Sequence, residues 1–165
     1  MGYKHTVSVL VVIMARDTGR VLMLQRQDDP AFWQSVTGSL EAGESPLTAA
    51  VREVGEELGI DVLAERLEME DCQRQIVFEI FPHYRHRYAP GVTHNHEHWF
   101  RLRLPAERDI ALTEHLAFRW LRPAEAAALT KSWSNRQAIE EFTLIAAAAH
   151  FSGDGSIKFD ESGEF

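Results

Sequence analysis

The sequence predicts an α/β fold, an α/β/α sandwich around a mixed β-sheet, and two observations lead there. Apolar runs of strand length lie on both sides of one strongly amphipathic helix, and further helices gather late in the chain. A chain of 165 residues suits one domain with a sizeable core. Its 45% hydrophobic and 25% charged residues are ordinary for a globular protein. We expect a folded domain over 1–150 and a flexible acidic tail over 151–165, where Gly, Ser, Asp and Glu accumulate.

Taken in order, Thr6–Ala15 and Val21–Arg26 are apolar strands joined by the turn-rich Arg16–Arg20. Residues 27–34 contain Asp28-Asp29-Pro30 and read as a loop, with Phe32 and Trp33 free to pack or touch ligand. The amphipathic helix follows. Ser45 is its N-cap and Pro46 its first residue, where the missing N–H costs nothing. Gly59 stands just past its end, where a left-handed residue is wanted. Leu47, Ala50, Val51, Val54 and Leu58 form its apolar stripe. Long strands are expected around Gln73–Tyr84 and Glu97–Leu104, with a basic turn, Arg85–Thr93, between them, and a short strand at Leu116–Leu121. Helices close the domain at Pro123–Leu129 and from a capping box at Ser134–Gln137 to about Ala149, burying Ala138, Ile139, Phe142, Ile145 and Ala149.

The helix carries the chemistry. From Gly38 the spacing is G-x5-E-x7-R-E-U-x-E-E-x-G-U, where U is aliphatic, filled by Gly38, Glu44, Arg52, Glu53, Val54, Glu56, Glu57, Gly59 and Ile60. Chance offers such a match on the order of once in 10^8 starting points at average residue usage. At 3.6 residues per turn Glu53 and Glu57 stack one above the other, with Glu56 on the adjoining arc. Three carboxylates so close repel one another unless a hard divalent cation, which prefers oxygen ligands, joins them. Such an ion also binds phosphate oxygens and stabilises developing charge. Without the flanking glycines and Glu44 the run would read as a solvated charged helix face.

This pattern is the Nudix box, and the chain resembles Nudix hydrolases. The resemblance implies a Nudix-type sandwich and divalent-metal cleavage of diphosphate linkages, with Mg²⁺, or Mn²⁺ in its place. Segments outside the box, among them VLMLQR, DDPAFWQSVTGS, DCQRQIVFEIF, TEHLAF and LTKSWSNRQAIE, are similar to the branch that acts on a pterin triphosphate. That likeness runs from Tyr3 to about Ala149. It implies conversion of 7,8-dihydroneopterin 3′-triphosphate to the monophosphate and pyrophosphate, a step of folate biosynthesis. It further implies metal ligation by Glu53, Glu57 and Glu114, with Glu56 a further ligand or the general base. Substrate contacts are implied at Lys4, Arg26, Thr37, Phe78, Glu79, Ile80, Phe81 and Ser132. Arg26 and Lys4 suit phosphate, and Glu79 could accept hydrogen bonds from a pterin. Arg52 is expected to orient the box glutamates by ion pairing.

Two rival functions stay open on sequence alone: pyrophosphohydrolysis of dATP or an oxidised deoxynucleotide, and a Nudix-fold nucleotide sensor without catalysis. A net charge of −8 argues against a general nucleic-acid surface, so the partner expected is a small triphosphate held by local cations. His94, His96 and His98 share one strand face but read better as a polar strand than as a transition-metal site. The one cysteine, Cys72, reads as a small hydrophobe and suits the reducing cytoplasm. No apolar run is long enough to span a membrane.

Overall fold

The computed structural model describes residues 2–152, with side chains described through Thr143. Its strands are β1 (Val7–Ala15), β2 (Val21–Arg26), β3 (Trp33–Gln34), β4 (Val36–Ser39), β5 (Met69–Glu79), β6 (His94–Leu104) and β7 (His115–Leu121). The α-helices are α1 (Pro46–Leu58), α2 (Pro123–Leu129) and α3 (Trp133–Ser152). The strands make one mixed sheet in which β1 runs parallel to β6, while the other pairings are antiparallel. β1 is its centre. It meets β2 only at Met14 and Val21, so β4 pairs with β1 along Ser8–Val11 while β2 departs to pair with β3 and β7. The divergence opens one end of the sheet.

Alternation along β1 and β6 divides the core between two layers. Val9, Val11, Ile13, Phe100, Leu102 and Leu104 pack on Ala49, Ala50, Val54 and Leu58 of α1. Leu10, Val12, Met14 and Trp99 pack on Ala126 and Ala127 of α2 and on Ala138, Ile139 and Phe142 of α3. The expected α/β/α sandwich around a mixed sheet is the observed one. Among the described residues no helix is long and apolar enough to cross a membrane.

Details differ from expectation for local reasons. The buried face of α1 is Ala49, Ala50, Glu53, Val54, Glu57 and Leu58, and Leu47 points outward at 48% exposure. The stripe is thus rotated so that two glutamates turn inward. β5 ends at Glu79, not Tyr84, because Pro82 opens a 3-10 turn over Pro82–Arg87. A short strand, β4, forms within the segment between the loop and the helix. Helix α3 starts one residue before the expected capping box, with Ser132 Oγ accepting from Asn135 N at 3.1 Å. Ser134 lies inside its first turn. The side chains of Ile145 and Ala149 fall outside what is described; of the expected tail over 151–165, residues 151–152 continue α3 and the rest lies outside the described residues.

The caps of α1 are as read. Ser45 Oγ accepts from Thr48 N at 3.2 Å, and Gly59 is left-handed at φ 71°. A Cβ on Gly59 would also press on Ala111 Cβ at 3.0 Å. Gly59→Ala is therefore expected to cost about 1–2 kcal/mol, from the left-handed backbone plus this contact. Urea unfolding measures it; an unchanged midpoint would contradict the capping account.

Candidate active site

The box residues form a hydrogen-bonded cluster around Arg52. Its Nε and Nη2 donate to Glu44 at 2.7 and 2.8 Å, a bidentate pair. Nη2 also reaches Ser39 O at 3.1 Å, and Nη1 donates to Glu53 at 3.1 Å and Glu56 at 3.2 Å. One guanidinium thereby ties α1 to the loop before it and to the end of β4. Glu44, bonded by Arg52 first and by the Glu41 N–H as well, is held down to about 2. The Arg52 guanidinium thus contacts three box glutamates, Glu44, Glu53 and Glu56.

Glu53 and Glu57 are buried, at 8% and 2% exposure. Burial is the first cause raising both carboxyls above their ordinary range, and each feels its neighbour. Glu57 is further raised by Glu53, then by Glu114 and Glu56. Its Oε1 is buried without a hydrogen-bond partner, 3.9 Å from His115 Nε2. Burial, then Arg26, lowers the His115 pKa, so it supplies no compensating charge. Gly38 explains how Glu53 fits: a Cβ there would overlap the Glu53 carboxylate. Among the described residues no three acidic, histidine or cysteine side chains already converge on one point. A paired, oxygen-only donor set with an unsatisfied buried oxygen still fits a hard divalent cation, which keeps several waters of its own.

A cleft of about 520 Å³ opens beside this cluster at the diverging end of the sheet. Of the residues singled out from sequence, it gathers Lys4, Arg26, Thr37, Glu57, Phe78, Glu79, Ile80, Phe81, Glu114 and Ser132. Arg52, Glu53 and Glu56 do not line it; Glu53 sits behind Gly38, which does. Glu114 occupies an exposed bend just before β7.

Arg26 is fixed at the end of β2 by two bonds to Asp28, at 2.8 and 2.7 Å, and one to Gln34 at 3.0 Å. Its guanidinium lies over the rings of Phe32 and Tyr84, 5.3 and 4.7 Å from their centroids. Lys4 is tied by its backbone N–H to Arg87 O at 2.9 Å. Desolvation, then Arg87 and Arg26, lower its pKa. Three cations thus crowd one side of an acidic protein. Thr37 Oγ1 is already used, donating to Val9 O at 2.9 Å. Glu79 stands on the rim, paired with Arg85 at 2.7 Å and 67% exposed at its side chain.

Sequence reasoning missed Arg87, Tyr84 and His115, and it missed Asn95 and Glu97. His94, His96 and His98 lie on the other face of β6 from Asn95 and Glu97 and form no metal cluster among the described residues. The alternation that drew attention to the histidines also buries Asn95 and Glu97, which was the signal available. Burial pushes the Cys72 thiol up to about 11, as suits an inert side chain.

Residues 4–142 match the family model for the NUDIX domain, and the chain belongs to the NUDIX family. Members of this family depend on divalent metals. The dihydroneopterin triphosphate diphosphatase of Escherichia coli K12 is 68% identical over 145 residues, covering 88% of this chain and 97% of that protein. The Haemophilus influenzae protein of the same name is 50% identical over 142 residues, covering 86% of this chain and 90% of its own. The solved E. coli dihydroneopterin triphosphate pyrophosphohydrolase superposes with a TM-score of 0.86 at 67% identity, over 87% of this chain and 99% of that one. A C. elegans Ap4A hydrolase complex, at 21% identity and a TM-score of 0.69 over 87% of this chain and 98% of that one, shares the fold.

The raised pair fixes a sign for stability. Below the ordinary carboxylate range Glu57 is protonated folded and unfolded alike. Above it the unfolded chain ionises freely while the folded pair resists, so metal-free stability falls as pH rises. Glu57→Gln should raise the metal-free Tm by several degrees at pH 7.5. The same change should abolish the Tm gain on adding Mg²⁺ and lower turnover at least about 100-fold. A variant that melts lower and keeps the cation response would contradict this.

Proposed function

We propose that the protein is a metal-dependent pyrophosphohydrolase that converts 7,8-dihydroneopterin 3′-triphosphate to its monophosphate and pyrophosphate, a step of folate synthesis in the cytoplasm. The observation that carries the reading is the composition of one cleft. Carboxylates suited to a cation, a cluster of three basic side chains and a largely buried polar floor line a single space sized for a phosphorylated heterocycle. The 68% identity with the E. coli diphosphatase, along 97% of its length, supports the same substrate. Reducing conditions fit a chain whose lone thiol is Cys72.

Glu53, Glu57 and Glu114 are the residues assigned to hold the cation, Mg²⁺ by the hardness of its oxygen donors, with Mn²⁺ an acceptable substitute. Bound there, the ion supplies charge neutralisation for the phosphate oxygens and the attacking water. The protein's own part is positioning. Arg52 fixes Glu53 and Glu56 relative to β4, and Gly38 leaves the space Glu53 occupies. Arg26, held rigid between two rings, and Lys4 and Arg87 draw the triphosphate and stabilise charge that develops as water adds to phosphorus and pyrophosphate leaves. Glu56, exposed and tied to Arg52, is free to serve as a further ligand or as base.

The test is pyrophosphate release with Mg²⁺ from dihydroneopterin triphosphate beside dATP and 8-oxo-dGTP at equal low concentration. The reading expects the pterin to win by at least about tenfold in kcat/KM, some 1.4 kcal/mol of transition-state preference. Equal or better use of a nucleotide would overturn the substrate assignment. Metal-dependent binding with no turnover of any of the three would leave a sensor.

A further inference from the structure

Two buried polar side chains in the cleft have no part in the chemistry at phosphorus. Asn95 and Glu97 alternate along β6, 1% and 4% exposed, and both line the cleft wall on the α3 side of the sheet. Asn95 Nδ2 donates to Ser8 Oγ at 2.7 Å, which fixes the amide, and its Oδ1 is buried without a partner. Glu97 Oε1 accepts from Trp99 Nε1 at 3.0 Å, and Ser134 hydrogen-bonds the same carboxylate. Among the described residues no lysine, arginine or histidine pairs with Glu97. Burial pushes it up to about 7 against the pull of those two hydrogen bonds.

A buried carboxylate that lacks a cation is costly, and an orphaned buried amide oxygen adds to the cost. Both acceptors present unused lone pairs to the cleft, with Phe78 directly beside Asn95 across the β5–β6 pairing and Leu10 on the same sheet face as Glu97. The result is an apolar-sided slot with two acceptors, Asn95 Oδ1 and the Glu97 carboxylate, on its floor. Glu79, the acceptor the sequence suggests, is engaged by Arg85 at the rim instead.

We propose that Asn95 and Glu97 are the residues that read the substrate's ring, taking the 2-amino-4-oxo edge of the pterin. This rests on the pterin reading above and deepens it. The edge offers an N3–H and an exocyclic amino group. Glu97 accepts N3–H and one amino hydrogen side by side, and Asn95 Oδ1 accepts the other. Three donors then meet three vacant acceptor positions. Trp99 and Ser134 orient Glu97 and stay in place, and Ser8 does the same for Asn95. The phosphates extend from this floor toward Lys4, Arg26 and the box carboxylates at the other end of the cleft.

Neopterin, which carries no phosphate, isolates this contact from the metal site. Its binding is measured by fluorescence titration to the full chain without metal, for wild type, Glu97→Gln and Asn95→Ala. Kinetics with dihydroneopterin triphosphate follow on the same proteins. Both substitutions are expected to weaken neopterin at least tenfold. Glu97→Gln should raise KM for the triphosphate by a similar factor with kcat within threefold and its Mn²⁺-induced Tm shift unchanged. In wild type the Trp99 indole N–H resonance should move as neopterin binds, a readout that needs no variant to fold. An unmoved indole signal, or wild-type affinity in both variants, while wild type still prefers the pterin triphosphate, overturns the assignment alone. Failure of wild type to prefer the pterin triphosphate at all overturns the substrate reading beneath it.

Discussion

Two carboxylates buried side by side on the core-facing surface of α1 are the constraint around which this protein is arranged. Glu53 and Glu57 occupy positions that apolar packing would otherwise fill, between Ala49–Ala50 and Val54–Leu58. Their mutual repulsion and desolvation cost stability in the bare fold, a cost that a hard cation bound between them would remove. The surrounding structure holds them there regardless. Arg52 ties α1 to Glu44 and to Ser39 O, Gly38 yields the volume that Glu53 takes, and the caps at Ser45 and Gly59 set where the helix starts and stops. Gly38, Glu44, Arg52 and Gly59 of the box thus serve to place the helix that carries the buried pair.

The sheet supplies the second half of the arrangement. Because β2 leaves β1 after one pairing near the hairpin, the ends of β1, β2, β4, β5 and β6 border a common cleft instead of a closed edge. Side chains from both faces of the sheet reach it. Gly38 pairs with Val9 on the α1 side, whereas Thr37, Ser8, Asn95 and Glu97 belong to the α3 side. The cleft is polarised as a consequence. Acidic groups for a cation stand at one end, basic groups beside them, and hydrogen-bond acceptors on the far floor. Asn135 locks the far wall, accepting from Ser35 N at 2.8 Å and donating to Ser35 Oγ at 2.9 Å. An acidic protein can therefore hold a polyanion, through local charge rather than net charge.

Much of this was legible in the sequence because it is local. Caps, helix periodicity and box spacing all act within one or two turns, so Ser45, Gly59 and the stacking of Glu53 on Glu57 could be read directly. The family resemblance named cleft residues as distant as Lys4 and Ser132, which periodicity would not have joined. What escaped was non-local. The inward rotation of α1, which exposes Leu47, goes with Arg52 meeting Ser39 O and Glu53 packing against Gly38 across the helix–sheet junction. Arg87 enters the site only because Pro82 ends β5 and bends the chain back to Lys4. Asn95 and Glu97 look like ordinary polar strand positions until the register with β1 places them beside Ser8 and Leu10. The start of α3 moved for a similar reason: Ser132 caps it, while Ser134, the expected cap, hydrogen-bonds Glu97 across the cleft wall.

The central claim is that the buried pair on α1 exists to hold a divalent cation facing a polarised cleft. Diffraction from crystals grown with Mn²⁺, using its anomalous signal, locates the ion directly. The account predicts a peak bonded to the Glu53 and Glu57 carboxylates on the side that faces Glu114 and the cleft, with the Arg52–Glu44 pair intact. A peak elsewhere, or an ordered site bound only by exposed carboxylates such as Glu56 while Glu53 and Glu57 stay unligated, would contradict it.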